Sequence, residues 1–298
     1  MQSITNPLLT IEMKINMKIS SLTAMAAAFL MISSCSNPGP ELGIGLQLYS
    51  VRDDMSKDPV ETMLKVGEIG YDFVEAAGYS DGKFYGIEPE TFKELVEGNG
   101  MYFRGSHCGQ AIPDSGNWEE LMPWWDKCIA AHKKAGVEYI VQPFMGKTGY
   151  ESLEGLADYC AYFNAVGEKC KKAGIKFGYH NHDKEFKELE GEVIYTYMLE
   201  NTDPEKVMFQ LDLYWIAQGD GNAAEYFAKF PGRFLSFHIK DEKELGASGE
   251  MDFVTLLDMS EKAGAKYFVV EVERYDFPPL ESVEKSLDYL KEIGFVKQ

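Results

Sequence analysis

From residue 44 to the end of the chain, short apolar runs alternate with amphipathic stretches of helical period, eight of each. The apolar runs lie at 44–50, 73–75, 101–106, 139–143, 176–179, 208–212, 234–239 and 267–271. The helical patterns lie at 59–69, 89–96, 118–134, 152–172, 193–199, 223–230, 253–262 and 280–293. Strict alternation of this kind is what parallel βαβ units require, since each strand must be returned to its starting end by a helix. Several of the runs lack polar alternation, as expected of strands covered on both faces. Helix punctuation supports the divisions: Pro59 and Pro89 open two helices, and Gly70, Gly98 and Gly174 close three.

Two architectures accommodate eight such units, an open doubly wound sheet and a closed barrel. The first strand is followed by Ser50-Val51-Arg52-Asp53 where a nucleotide-binding sheet would carry its glycine-rich turn. The chain is therefore expected to form an α/β fold, a (β/α)8 TIM barrel, as one domain over residues 44–298. With 298 residues it has the length for it, since such barrels take about 250.

The N-terminal part has another purpose. After Met17 and Lys18, an apolar run over residues 22–32 leads into Ser33-Ser34-Cys35. This run is far short of the ~20 residues a membrane span needs. It resembles a bacterial lipoprotein signal in which Cys35 becomes the acylated first residue, so residues 1–35 are expected to be a signal peptide with a lipidation cysteine. Residues 1–16 precede a more natural start at Met17. Asn37-Pro38-Gly39-Pro40 lies in a turn-rich tether over 36–43. The expected location is exported, lipid-anchored in the periplasm or at the outer membrane or cell surface, with contact to membrane only through that anchor. Four cysteines remain, Cys108, Cys128, Cys160 and Cys170, none in a CxxC pattern, and they are expected to be buried free thiols. The formal charge of −19, with no clustered Lys or Arg, excludes nucleic acid as a partner.

In barrels of this type chemistry sits where strands end, so the polar residues that terminate the apolar runs are the candidates. They are Gln47 and Tyr49, Glu75, His107, Gln142, His180 and His182, Asp212, His238 and Lys240, and Glu271 and Glu273. His180, Asp212, His238 and Glu271 end four consecutive strands and are the expected ligands of a divalent metal. Two imidazoles and two carboxylates suit Mn²⁺, Co²⁺, Zn²⁺ or Fe²⁺ without choosing among them. Taken singly, each of these residues is as well explained as a cap, a salt-bridge partner or a hydrogen-bonded structural histidine.

Gln47-Leu48-Tyr49-Ser50, Gly70-Tyr71-Asp72-Phe73-Val74-Glu75, Tyr179-His180-Asn181-His182 with Glu185-Phe186, Leu211-Asp212, His238-Ile239-Lys240-Asp241 and Val270-Glu271-Val272-Glu273 together resemble the xylose isomerase-like barrels, grouped as sugar phosphate isomerases/epimerases. The resemblance spans nearly all of the region after the signal. It implies a metal held by Glu, Asp, His and Glu at successive strand ends. The last three correspond to Asp212, His238 and Glu271, and His180 stands where the first glutamate is usual. In family ketose epimerases the two glutamates also form the acid/base pair, so the proton carriers are expected elsewhere: His182 first, then Lys240, Glu185 and Glu273. Gln47, Tyr49, Glu75, His107, Gln142 and Trp215 are expected substrate contacts. Trp124, Trp125 and Tyr214 offer further stacking faces, or core. Arg52 and Arg104 lack a glycine nest, which speaks against a phosphate clamp.

The expected function is a divalent-metal-dependent isomerase or epimerase that removes a proton beside the carbonyl of a free sugar or keto-sugar, through an enediolate. Elimination from 3-keto-glycosides by a lyase or dehydratase, and a non-catalytic sugar-binding lipoprotein, are the alternatives. An apurinic endonuclease on the same barrel conflicts with the acidic charge and with Trp215, where those enzymes usually carry another histidine.

Overall fold

In a computed structural model, which describes residues 43–296, each apolar run is a strand of one closed parallel barrel. The expected signal segment, Cys35 and the tether up to residue 42 lie outside the described residues. Among those described, no helix is long and apolar enough to cross a membrane. The strands are β1 (Ile44–Gln47), β2 (Phe73–Ala76), β3 (Tyr102–His107), β4 (Tyr139–Gln142), β5 (Lys176–His180), β6 (Val207–Asp212), β7 (Phe234–Ile239) and β8 (Tyr267–Val270). They pair in the order β1-β8-β7-β6-β5-β4-β3-β2, with β2 closing onto β1.

The helices between them are α1 (Pro59–Ile69), α2 (Pro89–Gly98), α3 (Met122–Ala135), α4 (Leu153–Ala173), α5 (Ile194–Asn201), α6 (Ala223–Lys229), α7 (Phe253–Asp258) and α8 (Pro279–Glu292). Local chemistry sets their ends. Asp58 accepts from the backbone N–H groups of Val60 and Glu61, with Pro59 in the first turn, and Gly70 ends α1 at φ 100°. Ser152 opens α4 by accepting from Gly155 N. The helical pattern expected at 253–262 is divided, α7 ending before Met259 and a further turn covering Ser260–Ala263.

Outward strand residues such as Leu46, Val74, Ile140, Leu211, Phe237 and Val270 pack under the helices, which is why the strands read as continuous apolar runs. The lumen is filled differently. Near the N-terminal ends of the strands Phe73, Tyr139, Met208, Tyr267 and Val269 form a separate apolar plug. Glycines make room for it: a Cβ at Gly45 would strike the Phe73 ring, and one at Gly105 the Tyr139 ring. Two residues further along five of the strands, the period of side-chain direction, the lumen turns polar with Gln47, Glu75, His107, His180 and Gln210.

Candidate metal centre at the C-terminal rim

His180 is the last residue of β5, Asp212 of β6, His238 lies one before the end of β7, and Glu271 follows β8. Register sets Asp212 opposite His238 and Gln210 opposite His180, so the four side chains rise side by side. Ligand atoms of His180, Asp212, His238 and Glu271 all lie within 4.8 Å of one another, and all four residues are buried.

Each ligand candidate is oriented from behind. Asp212 caps the short helix Leu213–Gln218, its Oδ1 accepting from Trp215 N at 2.8 Å. That fixes the carboxylate and leaves Oδ2 buried without a hydrogen-bond partner, 4.0 Å from His180 Nε2. His180 Nδ1 is likewise buried and unpartnered. Asn181 holds the Asp212 backbone by accepting from its N–H at 3.1 Å. His238 Nε2 lies 2.8 Å from Glu75 Oε1, so Nδ1, 3.3 Å from Glu271 Oε2, is the nitrogen on the ligand side. A carboxylate on the far nitrogen of a ligating imidazole is the usual way such rings are aimed.

The electrostatics follow from burial and neighbours. Burial alone raises the Glu75 carboxyl, but His107 and His238 outweigh it and hold the group well below the usual range. Burial disfavours charge on His238 too, yet Glu75 and Glu271 push it up to about 10. Burial, then His238 and His107, keep His180 well below the ordinary imidazole value. Burial lifts Asp212 to about 7. Glu271 is held low against its burial by Lys240 and His238, and Lys240 is held high by Glu271, Asp212 and Glu273. In the buried, orphaned atoms of His180 and Asp212, set among oxygen and nitrogen donors of low or displaceable proton load, the centre has the donor set of a divalent cation.

The residues expected to carry protons separate into two pairs. His182 and Glu273 line a cavity of about 570 Å³ that opens over His180 and Glu271. Glu185 and Lys240 do not. Glu185 is fully buried, accepting from Tyr179 OH at 2.5 Å, Tyr150 OH at 2.6 Å and His182 N at 2.9 Å, and so it positions the His182 loop. Lys240 is buried between Glu271 at 3.1 Å and Glu273 at 2.7 Å. Burial keeps His182 below the ordinary imidazole value, hence neutral at neutral pH.

Of the expected substrate contacts, Tyr49 and His107 line the cavity. Gln47, Glu75 and Gln142 are fully buried and otherwise engaged. Gln47 donates to Glu75 at 2.7 Å and caps Tyr49 N. Glu75 accepts from Gln47, His107 and His238 at Oε1 and from Gln210 at Oε2, and it does not line the cavity. Gln142 ties Gln110 O and Phe144 O, holding the loop after β4. Trp215 is a platform, its ring 5.7 Å from that of His182 and 5.1 Å from the Lys240 ammonium. Trp125 is core and Tyr214 is buried, whereas Trp124 lines the cavity with Tyr79, Asp81 and Phe144, which were not among the expected contacts. Gln210 was also missed, although it stands two residues before Asp212 and so points into the same lumen. Arg52 is spent on Tyr49 O, Tyr275 OH and Glu273 O, and Arg104 pairs with Glu138.

A family description of xylose isomerase-like TIM barrels matches residues 64–293. The chain belongs to this family. Among solved xylose isomerase-like barrels, a sugar phosphate isomerase/epimerase from Parabacteroides distasonis ATCC 8503 is 32% identical, over 85% of this chain and 99% of that one, with a TM-score of 0.80. A second from the same organism is also 32% identical, over 88% and 98%, with a TM-score of 0.78. An L-ribulose 3-epimerase shares 13% identity over 84% of this chain and 94% of its own at a TM-score of 0.68, a likeness of fold alone. No curated protein matches the chain.

Proposed function

We propose that this sugar isomerase/epimerase family member is metal-dependent and moves a proton at the carbon beside a carbonyl of an unphosphorylated sugar or keto-sugar. The observation that carries the reading is the set His180, Asp212, His238 and Glu271, with two buried donor atoms unpartnered, at the floor of the large cavity. These four residues would hold the cation, which when bound polarises a carbonyl and its neighbouring hydroxyl and acidifies the C–H between them.

The chain's own groups do the rest. His182, neutral and on the cavity wall, takes the proton, and Glu185 with its two tyrosines fixes the loop that carries it. Lys240 remains an ammonium and holds Glu271 and Glu273 in place. Glu273, paired to Lys240 but also on the cavity wall, is the second group within reach of substrate. Tyr49 and His107 offer hydrogen bonds to hydroxyls. Support for an unphosphorylated substrate comes from the lining: Asp81, Glu271 and Glu273 face the cavity and, among the described residues, no Lys or Arg does. An exported, lipid-anchored protein would meet such substrates.

A second reading, elimination from a 3-keto-glycoside, draws on the aromatic arm of the same cavity. Tyr49, Tyr79, Trp124 and Phe144 all line it and suit the ring of an aglycone or second sugar. Incubation of the metal-loaded protein with free sugars, glycosides and their 3-keto derivatives in D₂O, followed by NMR, separates the two. Deuterium entering beside the carbonyl without cleavage is the expected result. Release of the aglycone favours elimination, and absence of exchange and cleavage with every sugar overturns both.

A further inference from the structure

A second cluster of metal-binding side chains lies behind the cavity wall, outside the centre just described. Cys108 follows His107 at the end of β3, and Cys128 and His132 sit one turn apart on α3. Cys128 and His132 are fully buried, while Cys108 is 9% exposed and lines the cavity. Cys108 Sγ lies 3.4 Å from Cys128 Sγ and 3.8 Å from His132 Nε2. His132 Nδ1 donates to Cys128 O at 2.7 Å and lies 3.4 Å from Cys128 Sγ, and Nε2 is the nitrogen on the side of Cys108. One ligand atom from each of the three residues lies within 4.8 Å of the others.

We propose that Cys108, Cys128 and His132 form a second cation site, selective for Zn²⁺, that ties the end of β3 to α3 beside the substrate cavity. Bonds of about 2.3 Å from zinc to sulfur and about 2.0 Å to nitrogen span the two separations from Cys108 Sγ, to Cys128 Sγ and to His132 Nε2, at angles of roughly 95° and 125°. The imidazole is aimed as ligating histidines are, by a hydrogen bond from its far nitrogen to a backbone carbonyl. Charge favours a divalent ion. Two thiolates and a neutral imidazole around such a cation sum to zero, so a buried site beside the Tyr79 and Phe84 rings, each 4.9 Å from the imidazole, needs no further counter-ion to hold it. Sulfur donors distinguish this site from the rim, whose nitrogen and oxygen donors suit harder ions. The edge of Cys108 that is exposed on the cavity gives the ion a way in. Loading exchanges the two thiol protons for the metal, with no change in oxidation state.

Co²⁺ is the probe, because only coordination by sulfur gives thiolate-to-cobalt charge-transfer absorption in the near ultraviolet and the rim centre holds no sulfur. Reduced, metal-free full-length protein titrated with Co²⁺ until the rim centre is also filled is expected to develop that band, to lose it on addition of Zn²⁺, and to lose it in C128S, with circular dichroism confirming that the variant is folded. His132→Gln is expected to weaken Co²⁺ binding at least tenfold. Bound Zn²⁺ is expected to slow alkylation of Cys108 at least tenfold in wild type and not in C128S. No charge-transfer band in the reduced protein, a band that survives C128S, or a Cys108–Cys128 disulfide whose reduction yields no band overturns the proposal.

Discussion

Glu75 and His238, 163 residues apart in the chain, meet in the lumen with 2.8 Å between Oε1 and Nε2. They come from strands that are not neighbours, β2 and β7, so the contact crosses the interior of the barrel. It uses one imidazole nitrogen and thereby leaves the other facing Glu271 in the candidate metal site.

Glu75→Gln removes the charge that aims and polarises His238 while keeping a similar shape. Metal affinity measured against a competing chelator should fall about 10–100-fold, the usual effect of losing such a partner. Unchanged affinity would mean that Glu75 is a structural buried charge and no more. Glu75→Ala should in addition destabilise the fold by about 3–5 kcal/mol, because the charged His238 and the surrounding donors would be left buried and unpaired.

Metal content, measured by elemental analysis after loading and desalting, should fall to background in His180→Ala and Asp212→Ala. Retention of full occupancy in both would show that the cation, if any, lies elsewhere. Uptake should also release protons, since Asp212 at about 7 and His238 at about 10 both bind them in the metal-free protein. Apparent affinity should therefore rise with pH through neutrality. A flat affinity between pH 5 and 8 would contradict the donor assignment.

Asp212 makes a stability prediction of definite sign. Its folded value of about 7 lies above the ordinary 3.8, so between the two the native state keeps a proton that the unfolded chain has released. The metal-free protein should accordingly lose stability as pH rises from about 4 through about 7. Asp212→Asn preserves an acceptor for Trp215 N and removes the titration. In chelator-treated melts the variant should match wild type near pH 4 and exceed it above pH 7, by up to about 4 kcal/mol. A difference that does not grow with pH would argue that the carboxylate is better solvated than its surroundings indicate.

His182→Gln should lower kcat by about 10²–10⁴-fold and abolish solvent deuterium exchange into substrate, with metal content unchanged. Loss of metal along with activity would reassign His182 to the metal. Glu185→Gln should act more mildly and through the same residue, by loosening the loop that Glu185 ties to Tyr150 and Tyr179.

Gly105→Ala tests the lumen packing. The added methyl group meets the fully buried Tyr139 ring, which itself packs against the Tyr267 ring at 4.7 Å and a 45° tilt. A loss of about 1–3 kcal/mol in urea unfolding is expected. Full stability would show that the ring can shift at little cost.

The barrel and the strands that bear the metal donors were legible in the sequence, because apolar period and helix punctuation are local properties that each segment carries by itself. His180, Asp212, His238 and Glu271 were legible for the same reason: a polar residue ending an apolar run stands at the rim whatever the rest of the barrel does. Tertiary structure alone separated residues that look alike in the chain. Glu75 and Glu271 both close buried strands, yet Glu75 lies deep enough to be surrounded by four donors while Glu271 reaches the cavity. His182 and Glu185 are three residues apart, and only the approach of Tyr150 and Tyr179 turns one into a buried anchor while the other stands on the cavity wall. Cys108 and Cys128 show the same limit, since their meeting depends on how α3 packs against β3. Sequence determined which residues face the lumen and the rim, by periodicity. Depth in the lumen and partners across it depend on register and closure, which no single segment contains.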